Sequence, residues 1–290
     1  MYSTLITAEN LHKSNQQDVT ERPLVFDCSF DLGNADTGQA QYHQAHIPGA
    51  VYAHLDRDLS DKAHPLGARA GRHPLPDREV FAKWLAQSGL AQHQQVVVYD
   101  RQGAHYCGRL WWMLKWSGHE AVAVLDGGFG TWQAAGYPVA SGVGPPPANR
   151  AEHPFALGAS LVPTADSANM VRLLGSPSQT VIDARAAPRF RGAVEPLDPV
   201  AGHIPGALNR PFADNFLPDG RFKPAAQLRR EFECLLAGRD PAHVVHHCGS
   251  GVTATPNILA MELAGLGRTV LFPGSWSEWS NTPGLPVARG

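Results

Sequence analysis

Short runs rich in Val, Ile and Leu recur along the chain and alternate with longer amphipathic stretches. LVFDCSF (24–30), VVVYD (96–100), TVIDARA (180–186) and VVHHC (244–248) are too short and too evenly apolar for surface helices, and they predict buried strands. REVFAKWLAQSGL (78–90) and AAQLRREFECLLAG (225–238) carry apolar residues at helical spacing. Strands alternating with helices predict an α/β fold, a mostly parallel sheet flanked by helices on both faces. Ligand sites in such folds gather at the carboxyl ends of the strands.

The pattern occurs twice. His46-Ile47-Pro48-Gly49-Ala50 returns as His203-Ile204-Pro205-Gly206-Ala207, and the strand-like runs around each copy keep the same order. VLDGG (124–128), followed by Trp132 and Tyr137-Pro138-Val139, parallels VLFPG (270–274), followed by Trp279 and Leu285-Pro286-Val287. The chain therefore reads as a duplicated domain, 1–142 and 159–290. The proline-rich span 143–158 between them favours an extended linker.

Composition narrows the function. A formal net charge of −2 gives no electrostatic reason to expect nucleic acid or an anionic membrane as partner. The N-terminal segment MYSTLITAENLHK has no basic region followed by an apolar run, which predicts a cytoplasmic protein. Cys28, Cys107, Cys234 and Cys248 show no CxxC spacing, so independent reduced thiols are expected, with Cys28, Cys107 and Cys234 as buried packing residues. His246 and His247 are strand neighbours that point to opposite faces and cannot share a metal ion. Trp111, Trp112 and Trp116 predict helix-on-sheet packing, and Arg101 and Arg109 exposed or packing roles.

Cys248 differs from the other thiols. It ends a predicted strand and opens Cys248-Gly249-Ser250-Gly251-Val252-Thr253, with a helix expected from about Ala254 through Leu263. Backbone amides of a curled loop and the positive end of a helix both favour a thiolate at that place. The corresponding position of the first copy is Asp100, which cannot act as a sulfur nucleophile. A cysteine phosphatase needs an arginine six residues after its cysteine to clamp phosphoryl oxygens. That position is Ala254.

Both HIPGA motifs, VIDAR with Arg189-Phe190-Arg191-Gly192, the loop Cys248–Thr253 and the terminal GSWSEW (274–279) together resemble the rhodanese superfamily in its tandem-domain form, over essentially the whole chain. The neutral loop is similar to that of members that use 3-mercaptopyruvate, whereas thiosulfate-preferring members carry cations at the positions of Gly249 and Ser250. The resemblance implies sulfur transfer by double displacement in a cleft between two domains, without a cofactor. Cys248 would take sulfur from 3-mercaptopyruvate as a persulfide, release pyruvate, and pass the sulfur to cyanide, a small thiol or thioredoxin. It also implies that Ser250 and Asp56 share proton delivery, with His73 in support. Arg189 would bind the substrate carboxylate, and Gly249, Gly251, Val252 and Thr253 would line the sulfur site.

The family pattern after Glu195-Pro196 continues with a second anion-binding arginine, where this chain has Leu197-Asp198. Arg191 or a residue from the other domain then substitutes, or carboxylate affinity is lower, or the donor differs. Thiosulfate:cyanide sulfurtransfer and a carrier or redox-sensing module without turnover are the competing readings.

Overall fold

The structure, a computed structural model, describes residues 1–144 and 153–290. The core of the expected linker, 145–152, lies outside the described residues. The chain divides into two compact units. The first comprises Met1–Ser60, Pro76–Leu161 and Pro218–Arg221, and the second Asp61–Leu75, Val162–Leu217 and Phe222–Gly290.

In the first unit, β1 (Leu5–Ile6), β2 (Leu24–Asp27), β3 (Val51–Tyr52), β4 (Val96–Tyr99) and β5 (Val122–Leu125) form a parallel sheet of order β1-β5-β4-β2-β3. In the second, β6 (Thr180–Asp183), β7 (Leu208–Asn209), β8 (Val244–His247) and β9 (Val270–Leu271) are parallel in the order β7-β6-β8-β9. Read from its other edge, this is the order β5-β4-β2-β3. A parallel bridge from Thr164 to Leu271 takes the place that β1 holds beside β5. The duplication in sequence is thus a duplication of topology.

The first unit's helices are α1 (Ala8–Ser14), α2 (Asp36–Gln44), α3 (Arg78–Gln87), α4 (Cys107–Trp116) and α5 (Gly128–Ala134). Leu11, Tyr42, Phe129 and Trp132 pack with Val25, Val97 and Ala123 on one sheet face, while Trp84 of α3 meets Phe26 on the other. The second unit has α6 (Ser167–Arg172), α7 (Ala187–Phe190), α8 (Ala225–Leu236), α9 (Thr255–Leu263) and α10 (Ser275–Asn281). Met170, Phe190, Trp276 and Trp279 cover Val181 and Val245, and Met261 of α9 reaches His246 on the opposite face. Strands buried on both faces are why their sequences run apolar without alternation.

The HIPGA motif is built identically in both units. Ile47 and Ile204 are fully buried, and Gly49 (φ +80°) and Gly206 (φ +78°) supply the left-handed position that a type II turn demands after proline. His46 stacks on Tyr42 at 4.1 Å and His203 on Phe190 at 3.8 Å, each ring nitrogen bonding the backbone carbonyl of the residue it stacks on. Trp132 and Trp279 likewise donate their indole N–H groups to the carbonyls of Pro138 and Pro286.

Two expectations change. The expected cut assigned residues 61–75 to the first domain, but Asp61–Leu75 packs within the second unit. Gly71, at φ +89°, abuts the Gly274 carbonyl so closely that a Cβ would lie 2.8 Å from it, and the Arg72 amide donates to Ser277 Oγ at 2.9 Å. Cys234 is exposed rather than buried. The buried stripe of α8 is Leu228, Phe232 and Leu236 at four-residue spacing, which turns position 234 to the far side. Trp111 and Trp112 are buried in α4 as expected, Arg109 is buried with a bond to the Leu59 carbonyl, and Arg101 pairs with Asp27 at 2.8 Å.

A buried charge group ties the second sheet together. Arg185, 1% exposed, grips Asp183 at 2.6 Å, reaches Glu195 at 3.2 Å and the Gly202 carbonyl at 2.7 Å, and lies over the Trp276 ring. Burial alone would raise the Asp183 carboxyl, but His247 and the Arg185 guanidinium outweigh it and hold the group below its ordinary value. Arg185→Met should therefore cost about 3–5 kcal/mol in urea denaturation at neutral pH, because it strands a buried carboxylate. A carboxyl lowered on folding stabilises fully above its unfolded value, about pH 4, and loses that contribution as pH falls through the folded value. The gap between wild type and Arg185→Met should accordingly narrow in acid. A constant gap down to pH 3 would show that the carboxylate is not its source.

Candidate active site

Cys248 follows the last residue of β8, a strand hydrogen-bonded on both sides by β6 and β9. Thr255, the first residue of α9, lies seven positions after it, as Cys107, the first residue of α4, lies seven positions after Asp100. Both turns place a left-handed glycine third after the strand-end residue: Gly103 at φ +71° and Gly251 at φ +73°.

The first unit shows what such a turn gathers. The amides of Gln102 and Ala104 donate to Asp100 Oδ1, and those of Tyr106 and Cys107 to Oδ2, all at 2.9–3.0 Å. The carboxylate of Asp100 fills its own anion cradle. In the second unit, no backbone carbonyl among the described residues receives the amides of Gly249, Ser250, Val252 or Thr253. The loop is held from outside, as the Phe129 amide also holds the Asp100 carbonyl at 3.0 Å in the first unit. Ser275 Oγ accepts from the Cys248 amide at 3.1 Å, and the Cys248 and Gly249 carbonyls accept from Trp276 and Ser277 at 2.9 Å. The Pro273 carbonyl lies where a side chain on Gly251 would begin, 2.2 Å from an added Cβ.

Around the loop of the buried Cys248 stand three side chains from two distant segments of the sequence. His73 Nδ1 is 2.8 Å from Ser250 Oγ, with both residues buried. Arg189, at the end of α7, is gripped by Glu195 through Nε and Nη2 at 3.2 and 2.6 Å. Arg72 pairs with Asp198 at 2.8 Å. Guanidinium atoms of Arg72 and Arg189 both approach Gly249.

The structure therefore brings together Cys248, Gly249, Ser250, Gly251, His73 and Arg189, with Val252 buried and Thr253 half-buried in the same loop. It does not bring in Arg191, which is exposed beyond α7 and touches the rest through its backbone. Asp56 belongs to the first unit, half-buried, its amide donating to His54 Nδ1 at 3.1 Å.

Sequence reasoning missed Arg72 and the carboxylates Glu195 and Asp198. The signals were present, a cation beside His73 in GRHPLP and an acid six residues after Arg189, but neither says what it touches.

Other titratable groups stay out of the chemistry. Burial pushes the thiols of Cys28 and Cys107 well up, so neither offers a thiolate. Burial lowers His246 to about 3, leaving it neutral at pH 7, and burial also lowers His247. Their rings diverge, His246 to Met261 and His247 toward Asp183 at 3.5 Å, and no metal-binding cluster occurs among the described residues.

Comparison with known proteins agrees with this architecture. The family model described as a rhodanese-like domain matches residues 7–135 and 167–282. The chain belongs to the rhodanese family. A Pseudomonas aeruginosa protein, provisionally named a 3-mercaptopyruvate sulfurtransferase, is 45% identical over 99% of this chain and 98% of its own. A Mycobacterium tuberculosis protein, provisionally named a thiosulfate sulfurtransferase, is 39% identical over 92% of this chain and 90% of its own. The solved 3-mercaptopyruvate sulfurtransferase of Leishmania major superposes with a TM-score of 0.80 at 30% identity, covering 98% of this chain and 76% of that one. No helix among the described residues is long and apolar enough to cross a membrane.

The turn geometry has a direct test. Gly251→Ala meets both a left-handed backbone penalty of about 1–2 kcal/mol and the Pro273 carbonyl. Gly206→Ala, at φ +78° with open space around it, meets only the first. Urea denaturation should rank Gly251→Ala clearly below Gly206→Ala, and equal stabilities would mean that the loop relaxes away from Pro273.

Proposed function

We propose that this rhodanese-family protein is a sulfurtransferase that takes sulfur from 3-mercaptopyruvate onto Cys248 and delivers it to a thiol or to cyanide. The observation that carries the reading is a cysteine heading a turn in which the amides of Gly249, Ser250, Val252 and Thr253 meet no backbone carbonyl among the described residues, beside a buried Ser250–His73 pair and a fixed Arg189.

The chemistry follows from those positions. The Cys248 thiolate attacks the thiol sulfur of the donor, the S–S bond forms as the C–S bond breaks, and the electron pair departs on carbon as the enolate of pyruvate. The enolate takes one proton to give pyruvate. Ser250, bonded to His73, is suited to deliver that proton, and Asp56 is the acid that the resemblance assigns to share the task. Arg189 orients the donor's carboxylate with the guanidinium edge that Glu195 leaves open. A second thiolate, a small thiol or thioredoxin, or else cyanide, then attacks the outer sulfur and regenerates Cys248.

Thiosulfate is the second reading, supported by the thiosulfate name of one relative. The uncharged side chains at Gly249 and Ser250 favour the mercapto acid, since they add no cation for a compact dianion.

Incubation with 3-mercaptopyruvate should raise the intact mass by about 32 Da per chain, localised to Cys248, with pyruvate released in excess of enzyme once a thiol acceptor is added. Cys248→Ser should show neither. Labelling without excess pyruvate would leave only a sulfur carrier, and a higher kcat/KM for thiosulfate would overturn the donor assignment.

A further inference from the structure

Deepening that reading, we propose that Arg72 is the second guanidinium of the donor's anion site, recruited by Asp198 from the segment Asp61–Leu75. Where an arginine was expected after Glu195-Pro196, the chain presents a carboxylate whose side chain is 2% exposed. Asp198 Oδ1 accepts from Arg72 Nη1 at 2.8 Å and Oδ2 from Arg189 Nη2 at 3.1 Å, so one carboxylate bridges two guanidiniums 117 positions apart in sequence (189 − 72). Two like charges held this close need such a bridge, because their mutual repulsion otherwise drives flexible side chains apart.

The orientation of the remaining donors gives the pair its use. Nε and Nη2 of Arg189 are taken by Glu195 and Asp198, and Nη1 of Arg72 by Asp198. A Cβ built on Gly249 would lie 3.1 Å from Arg72 Nη2 and 3.4 Å from Arg189 Nη1. The uncommitted edges of both guanidiniums thus face the residue next to Cys248. Arg72 Nε is also buried without an acceptor among the described residues. The carboxylates are sealed in at 2–3% side-chain exposure, while Arg72 and Arg189 keep 23% and 19%. Acids lie inside and cations face outward, an arrangement that receives a small oxyanion through several N–H donors.

The charge balance sets the kind of oxyanion. Arg72, Arg185 and Arg189 are matched by Asp183, Glu195 and Asp198, so the cluster offers directed donors without surplus charge. Such a site suits the single carboxylate of a mercapto acid and gives a dianion no added attraction. Gly249 has to lack a side chain for the same reason, since any Cβ would stand between the guanidiniums and the donor.

Arg72→Gln should raise KM for 3-mercaptopyruvate about tenfold, with kcat falling less than KM rises, as expected for lost substrate binding. Arg72→Lys should recover part of the loss, since it restores the charge without the planar fork. Asp198→Asn, which leaves the cluster with a positive surplus, should move the kcat/KM ratio toward thiosulfate. A readout that does not need turnover is pyruvate binding to Cys248→Ser by titration calorimetry, which should weaken about tenfold on adding Arg72→Gln. Equal pyruvate affinity with and without Arg72→Gln, or no pyruvate binding at all, overturns the assignment. Absent turnover with a clear Arg72-dependent affinity would instead sink the proposed reaction and leave the anion site standing.

Discussion

Each unit must carry its chain from the end of a central strand into a helix in seven residues, and that turn collects several backbone amides around one point. Amides gathered in a buried place need an acceptor, since an unpaired buried N–H is costly. In the first unit the acceptor is built in: Asp100 takes four amides on its two oxygens and closes the question. In the second unit the same turn begins with a thiol. A sulfur atom on a one-carbon stem is a poorer and shorter acceptor, and the amides of Gly249, Ser250, Val252 and Thr253 meet no backbone carbonyl among the described residues. The two turns differ first in the residue that follows the strand, Asp100 in one unit and Cys248 in the other.

The rest of the site is organised around carboxylates. Asp183 fixes Arg185, Glu195 fixes Arg185 and Arg189, and Asp198 fixes Arg189 and Arg72. A guanidinium tied at one edge keeps its other edge pointed, and an anion then meets donors that need little reorganisation. The same chain of ion pairs explains why residues 61–75 leave the first half of the sequence to pack with the second. The Arg72 amide and side chain and the His73 ring all find their partners there.

Features decided locally were legible in the sequence. The HIPGA turn requires glycine after proline, and both copies adopt it with φ near +80°. Strands buried on two faces announced themselves as unbroken apolar runs, and Cys248 stood out because strand end, glycines and helix start coincide in nine residues. Features set by distant pairings were not. Nothing near Arg72 in sequence indicates Asp198, 126 positions away, and Leu197-Asp198 looked like the loss of a ligand rather than its relocation. Cys234 was misplaced for a smaller reason: its neighbours Phe232 and Leu236 are buried, but a helix turns about 200° between positions 232 and 234. The part assigned to Asp56 rests on its place after the first HIPGA motif.

The filled cradle of the first unit also indicates where the transferred sulfur would sit. From Cβ, the carboxylate of Asp100 extends through one atom to the oxygens that the amides grip. A persulfide on Cys248 extends through one atom, Sγ, to its outer sulfur, with an S–S bond of about 2.05 Å in place of a shorter C–O bond. On the proposed reaction, the outer sulfur would reach farther toward the loop amides than the bare thiolate does. On this geometry the turn would hold the sulfurated form of Cys248 more firmly than the free form. It also gives the absence of side chains at Gly249 and Gly251 one common cause. The Pro273 carbonyl stands beside Gly251 and the guanidiniums of Arg72 and Arg189 beside Gly249, so both positions exclude a side chain.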